Sequence, residues 1–238
     1  LYFATMKPRQ FLLRGLYLLI LLMELSVLWV GLYRWVPVPL TPLQVIRAWE
    51  GEAAKPTKGD GHWVDLEEVS ATFGRAVVAS EDQRFCQHFG LDVVSIQKAW
   101  KAAQTGKRLR GASTISQQTA KNVFLWPGRS WLRKGLEVWF TFWIEVLWGK
   151  ARILEVYLNV IETGPGLYGV DAWSWFYFNR EAHTIRQREA ALMAVCLPNP
   201  RRYTPQTAGD YLYNRRDWVL RQIRNQEPCT LGDVILFP

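Results

Sequence analysis

The sequence is poor in the residues on which most hydrolases and metalloenzymes are built: its 238 residues include three histidines and three cysteines. His62, His88 and His183 are scattered, and no HExxH, GxSxG or P-loop pattern occurs. A zinc hydrolase, a serine triad and a nucleotide-phosphate cradle therefore have nothing to build on. Cys86, Cys196 and Cys229 are odd in number, far apart and without a CxxC pair. That spacing indicates neither a zinc site nor a disulfide framework, although three thiols permit one bridge. Alternating apolar and polar runs, the mark of a half-buried strand, are also missing apart from a short stretch near Trp63. Acidic residues are outnumbered 21 to 29 by lysine and arginine, leaving a net charge of +8. Such a surplus suits an anionic partner: nucleic acid, a phospholipid surface or a phosphorylated substrate.

What is present begins with Leu16 to Val30, almost entirely apolar and bracketed by Arg14 and Arg34. As a helix, Gly15 to Tyr33 would reach about 28 Å, against a bilayer hydrocarbon core of about 30 Å. No small-x-small cleavage site ends it, so the expectation is one uncleaved transmembrane anchor. Lys7, Arg9 and Arg14 precede the span and only Arg34 follows closely, which keeps the N-terminus cytoplasmic and the rest outside. That placement argues against nucleic acid. Glu24, near mid-span, costs a few kcal/mol if ionised there. Leu1 to Thr5 precede a plausible initiator, Met6, and read as a tag remnant. The expected organisation is residues 1–10 as remnant and cytoplasmic tail, 11–36 as anchor, 37–62 as proline-rich stalk and linker, and 63–238 as the catalytic domain.

Helical periodicity dominates beyond the stalk. It predicts helices over Leu66–Ser80, Val93–Gln104, Ser113–Val123, Trp131–Trp148, Ala151–Asn159, Arg186–Cys196 and Tyr211–Asn225. Glycine and proline place loops at Gly106–Gly111, Pro127–Gly128, Gly164–Gly169 and Pro198–Pro205. The first of these is basic and reads equally as a solvated loop or as a flap over an anionic ligand. Gly164–Gly169 matches GxGxxG with Glu189 about twenty residues on, but a helical pattern precedes it, so dinucleotide binding is set aside.

The candidate site lies in three stretches. Glu81-Asp82 ends an apolar helical run. Thr114, Gln117 or Gln118, and Lys121 share a helix face that offers directed donors and one cation, an inventory suited to sugar hydroxyls and phosphate oxygens. Arg133 and Lys134 lie one turn before Glu137, at the mouth of a segment that is apolar on nearly every side.

With these residues in place, the chain resembles a monofunctional biosynthetic peptidoglycan transglycosylase, the family 51 glycosyltransferase domain also found in bifunctional penicillin-binding proteins. The resemblance spans Asp65 to Tyr203 and the anchor before it, and no transpeptidase-like segment follows. By position, Glu81 matches the catalytic glutamate of the first motif, with Asp82, Phe85, His88 and Gly90 as companions. Gly111, Ser113, Thr114, Gln117, Gln118, Lys121 and Asn122 match the second, which lines the lipid-pyrophosphate donor site. Arg133, Lys134 and Glu137 match the third, Glu137 being the second functional carboxylate. Lys150, Ile153, Leu154, Glu155, Tyr157, Leu158 and Asn159 match a largely structural fourth motif, followed by Gly164 and Gly169.

The resemblance implies a mainly α, lysozyme-like, two-lobed fold with a smaller lobe resting on the membrane. It implies polymerisation of lipid II into glycan strands by a bacterial inner-membrane enzyme facing the periplasm. Lys121, Arg133, Lys134 and Arg129 would neutralise the pyrophosphate leaving group, and a divalent cation, Mg or Mn, would bind near Glu137 if one is used. Partners would be lipid II, the nascent glycan, membrane lipid and cell-wall synthesis or division proteins. Trp173, Trp175 and Phe176 stand where the family carries small alanines. Two rivals remain: a lysozyme-like lytic enzyme, which would need no phosphate cradle, and a catalytically silent lipid II-binding scaffold.

Overall fold

The computed structural model describes residues 8–52, 54–55, 63–69, 71–105, 113–232 and 234–237. The chain divides into two compact units, residues 1–36 and residues 37–238. In the first, α1 (Pro8–Leu32) is long and apolar enough to cross a membrane by length and composition, with Phe11, Leu12, Tyr17 and Leu28 pointing outward and Glu24 exposed among them.

The second unit is mainly α, the class expected. It opens on α2 (Pro42–Trp49), where a linker was expected. The local cause is a capping box: Thr41 accepts from the Gln44 N–H, Gln44 returns the bond to the Thr41 N–H, and Pro42 pre-sets the first helical φ. Next come α3 (Ala71–Glu81), α4 (Val93–Gln104), α5 (Ile115–Phe124), α6 (Trp131–Leu147) and α7 (Gly149–Val160). Antiparallel β1 (Glu162–Gly164) and β2 (Leu167–Tyr168) lead into α8 (Gly169–Phe178), α9 (Gln187–Cys196) and α10 (Asp210–Arg224). A second antiparallel pair, β3 (Cys229–Leu231) and β4 (Val234–Phe237), closes the described chain.

Helix α3 runs against α9 and α10, and α5 against α6 and α7, so the two site-bearing helices are enclosed by the rest. Phe73, Val77, Ile115, Leu154, Tyr157 and Met193 are fully buried there. Trp173 is buried too, edge-on to Phe73 at 6.0 Å, so its indole is core where smaller side chains were expected. Trp175 is only half-buried and Phe176 exposed.

Several expectations are corrected. The stretch around Trp63 is not a strand: Glu155 accepts from the Trp63 indole N–H and the Leu66 N–H, and Asn159 exchanges two bonds with the Val64 backbone. These long-range partners occupy the backbone over 63–66, and helix α3 starts only at Ala71 rather than Leu66. Helix α8 and the β3–β4 hairpin were not foreseen. Nor was the Cys86–Cys229 disulfide, which links positions 143 residues apart. In the chain-entropy picture a loop of that length stabilises the fold by roughly 3–5 kcal/mol. Cys196 is the remaining thiol and is buried.

Candidate active site

Glu81 is the last residue of α3, and the turn after it is built to hold it. The Asp82 carboxylate accepts from His88 Nε2 at 2.9 Å and from the first N–H of α5, that of Ile115, at 2.9 Å. Negative charge at a helix N-terminus is favourable, so Asp82 ties the Glu81 turn to α5. Thr114 caps the same helix, accepting from Gln117 N–H and donating to the Gly90 carbonyl at 2.5 Å. Gly90 is required there: its φ is +73°, and a Cβ would lie 2.7 Å from Thr141 Cγ2 of α6.

Across from this corner, Gln118 donates to Glu81 Oε2 at 3.1 Å and accepts from the buried Tyr157 hydroxyl at 3.3 Å. Burial pushes the Glu81 carboxyl above the usual carboxylate range, while the Gln118 bond and the charges of Arg215 and Lys121 pull it back. The result is a carboxylate more basic than a solvated one. Tyr157 is held neutral, first by burial and then by the charges of Glu81 and Asp82.

The ammonium of Lys121, one turn beyond Gln118, makes no hydrogen bond or ion pair with a described residue. Burial lowers its pKa, Glu137 and Glu81 draw it back up, and Arg133 and Lys134 press it down again. Both carboxylates thus bear on one ammonium group. Ser130 caps α6, and on the next turn Arg133 Nη1 donates to Glu137 Oε2 at 3.2 Å while Lys134 reaches Oε1. Glu137 and Arg133 are both buried, and Arg133 Nε has no partner among the described residues.

A groove of about 490 Å³ joins these groups, lined by Gln118, Lys121, Asn122, Arg129, Arg133, Lys134 and Glu137, with Leu43 and Arg47 of α2 and Glu162 of β1 at its border. A second groove of about 270 Å³ lies beside Glu81, lined by Asp82, Arg84, Lys98, Thr114 and Trp218. Ser113 lines both. A cation-lined groove suits a bound di-anion, and a basic carboxylate beside it suits removal of a proton from a neighbouring hydroxyl.

Thr114 lines the groove beside Glu81 and also caps α5. Most predicted site residues gather here, with exceptions. Phe85 is fully buried under Lys150, whose ammonium lies 4.5 Å from its ring centroid, and it lines neither groove. His88 likewise lines neither groove; it holds Asp82. Gly111 and the basic loop over 106–111 lie outside the described residues. Glu155, Asn159 and Gly169 support the site from behind, Gly169 having a φ of +79° with a hypothetical Cβ 2.6 Å from the Asn159 carbonyl oxygen. The reading of the sequence missed Glu145, buried in α6 and accepting from Ser116 Oγ at 2.5 Å and Lys150 Nζ at 2.6 Å. Its signal was a carboxylate inside an aromatic run. It also missed Trp218 and Arg215 of α10, for which no local signal existed.

The residues around Glu137 do not fit a resident divalent cation. Both its oxygens face Arg133 and Lys134, and among the described residues no three His, Cys, Asp or Glu side chains cluster as a metal site.

Residues 50–224 match the family model described as Transglycosylase. The chain belongs to the transglycosylase family. Relatives named biosynthetic peptidoglycan transglycosylase include one from Bdellovibrio bacteriovorus, 52% identical over 196 residues, covering 81% of this chain and 77% of that protein. One from Caulobacter vibrioides is 47% identical over 206 residues, covering 86% and 88%. One from Escherichia coli is 46% identical over 223 residues, covering 90% and 89%. This transglycosylase is accordingly an enzyme, a glycosyltransferase with a mainly α, lysozyme-like fold.

Proposed function

We propose that the enzyme builds peptidoglycan by polymerising lipid II. The observation that carries this reading is the groove in which Lys121, Arg129, Arg133 and Lys134 gather beside Gln118, the residue that holds Glu81. Glu81 takes the proton from the acceptor sugar's 4-hydroxyl; that oxygen bonds to C1 of the donor sugar as the bond from C1 to the pyrophosphate oxygen breaks. Inversion of an α-linked donor gives a β-1,4 link, and undecaprenyl pyrophosphate departs. The leaving group is already good, so cations on its phosphates lower the barrier more than an acid on the bridging oxygen would. Glu137 keeps Arg133 and Lys134 aimed into the groove.

The apolar N-terminal helix serves as an anchor, with its basic flank in the cytoplasm and the catalytic unit outside, where a disulfide persists. Trp131, Leu132, Val138, Phe142 and Val146 along α6 are exposed apolar side chains that suit contact with lipid. A lytic enzyme needs one protonated carboxylic acid and no phosphate cradle, so the cation-lined groove favours synthesis over cleavage.

The test is incubation of purified full-length protein with labelled lipid II. Lysozyme-digestible polymer is expected, and Glu81→Gln abolishes it while the variant stays folded. Shortening of preformed glycan in place of polymer refutes the synthetic reading; binding without turnover refutes the catalytic one.

A further inference from the structure

The last stretch of the chain falls beyond residues 50–224, where the family match ends. It is nevertheless bonded at several points to the element that delivers Glu81. Before Glu81 on α3, Arg75 Nε donates to the Leu236 carbonyl of β4 at 2.5 Å, and the fully buried Leu236 side chain fills the space above Gly74, where a Cβ would come within 2.7 Å of it. After Glu81, Gln87 donates to Glu227 at 2.5 Å and Cys86 is bonded to Cys229, while Gln83 donates at 3.3 Å to Gln222 of α10, just before this stretch. Hairpin and turn therefore grip the base from both sides in sequence. Of the disulfide pair Cys229 is buried and Cys86 is exposed, and the Gln87 bond to Glu227 lies at the surface. The hairpin buries Cys229, Leu231, Leu236 and Phe237, and, so fastened, it also resists movement of the turn.

We propose that the β3–β4 hairpin, fastened by the Cys86–Cys229 bond, is a positioning strap for Glu81, and that turnover depends on this cross-link being intact. The proposal rests on the reading of Glu81 as the base. Cys86 and Cys229 touch no substrate. They act through the 82–87 turn, which carries Asp82 and so also fixes the N-terminus of α5. Among the described residues no hydrogen bond or ion pair joins Lys121, Arg133 or Lys134 to the strap, so its loss bears first on Glu81 and only through the start of α5 on the pyrophosphate.

The experiment compares full-length oxidised enzyme with the same enzyme after dithiothreitol, and with a Cys86→Ser/Cys229→Ser variant, on labelled lipid II. Dithiothreitol enters at exposed Cys86 by thiol–disulfide exchange and leaves two cysteine thiols and its own cyclic disulfide. Cleavage is expected to lower kcat by about tenfold or more with KM for lipid II little changed, as for a small displacement of a reacting group. It also moves the acid limb of the rate profile to lower pH, because water reaches Glu81 while Asp82, Lys121 of α5, Arg215 of α10 and Tyr157 of α7 still surround it. The double serine variant shows the same lowered kcat and no response to dithiothreitol. Leu236→Ala, with the disulfide intact, lowers kcat in the same direction, and circular dichroism verifies that each variant is folded.

A fall in melting temperature with kcat and acid limb unchanged, measured well below every melt, overturns the strap. Glu81→Gln run in parallel separates the two claims. If it is inactive while the reduced enzyme works normally, the strap alone fails; if it keeps turnover, the base assignment fails, and the inference with it.

Discussion

Replacing Gln118 by leucine tests the assignment of the base. Gln118 donates to Glu81 Oε2 at 3.1 Å, a bond that favours the ionised carboxylate. Burial already holds the Glu81 pKa above the ordinary range, and this bond, with Arg215 and Lys121, counters it. Removing the bond therefore raises the pKa further. A hydrogen bond to a charged group contributes about 1.5–3 kcal/mol, and 1.36 kcal/mol corresponds to about one pH unit. The acid limb of kcat/KM should move upward by about one to two pH units, with the rate lost on the acid side regained at higher pH. Initial rates of polymer formation from labelled lipid II across pH, for wild type and variant, measure this. The Tyr157 hydroxyl also loses its acceptor, which costs about 1–3 kcal/mol of stability, so rates are taken well below the melt. A limb that stays in place, or moves down, refutes Glu81 as the group whose ionisation the rate reports.

Glu81→Gln should raise the melting temperature at neutral pH while removing activity. A carboxyl whose folded pKa is raised lends stability at low pH and loses it as pH rises through that value, so the gain over wild type shrinks on acidification; melts at two pH values test this. Lys121→Met should cut polymerisation by about a hundredfold or more without lowering the melting temperature, since burial already disfavours its charge; rate and melt on one preparation decide it. Gly169→Ala should cost about 3 kcal/mol or more, because it pairs a positive φ with a clash against backbone. For a unit of this size that lowers the melt by roughly 6–12 °C.

The parts of the fold that were legible in the sequence are those whose signal is local. Helix α4 begins at Val93 and ends at Gln104, as its periodicity predicts, and α6, α9 and α10 fall within one or two residues of expectation. Helix α8 was hidden because half its residues are aromatic and its first six are buried, so it lacks a polar face to set a period. The capping box of α2 was visible but outweighed by the prolines around it. The start of α3 and the irregular stretch at Trp63 depend on Glu155 and Asn159, some ninety residues away, and the Cys86–Cys229 pairing on a distance that spacing does not encode. Within the site, the acids and cations were readable from motif positions. Their division into groups that face a groove and groups that hold it, such as Phe85 and His88, required coordinates.

The two bonds received by Asp82 bear on how ligands for this enzyme should be designed. Because one carboxylate grips both His88 and the amide that opens α5, the base on α3 and the ammonium on α5 cannot drift apart independently. Inhibitors that hold an anion and a hydroxyl-bearing ring at a fixed separation would meet a receptor already set to that spacing. Stiffening such a compound should then improve its affinity, whereas a flexible analogue would forfeit entropy for no better fit.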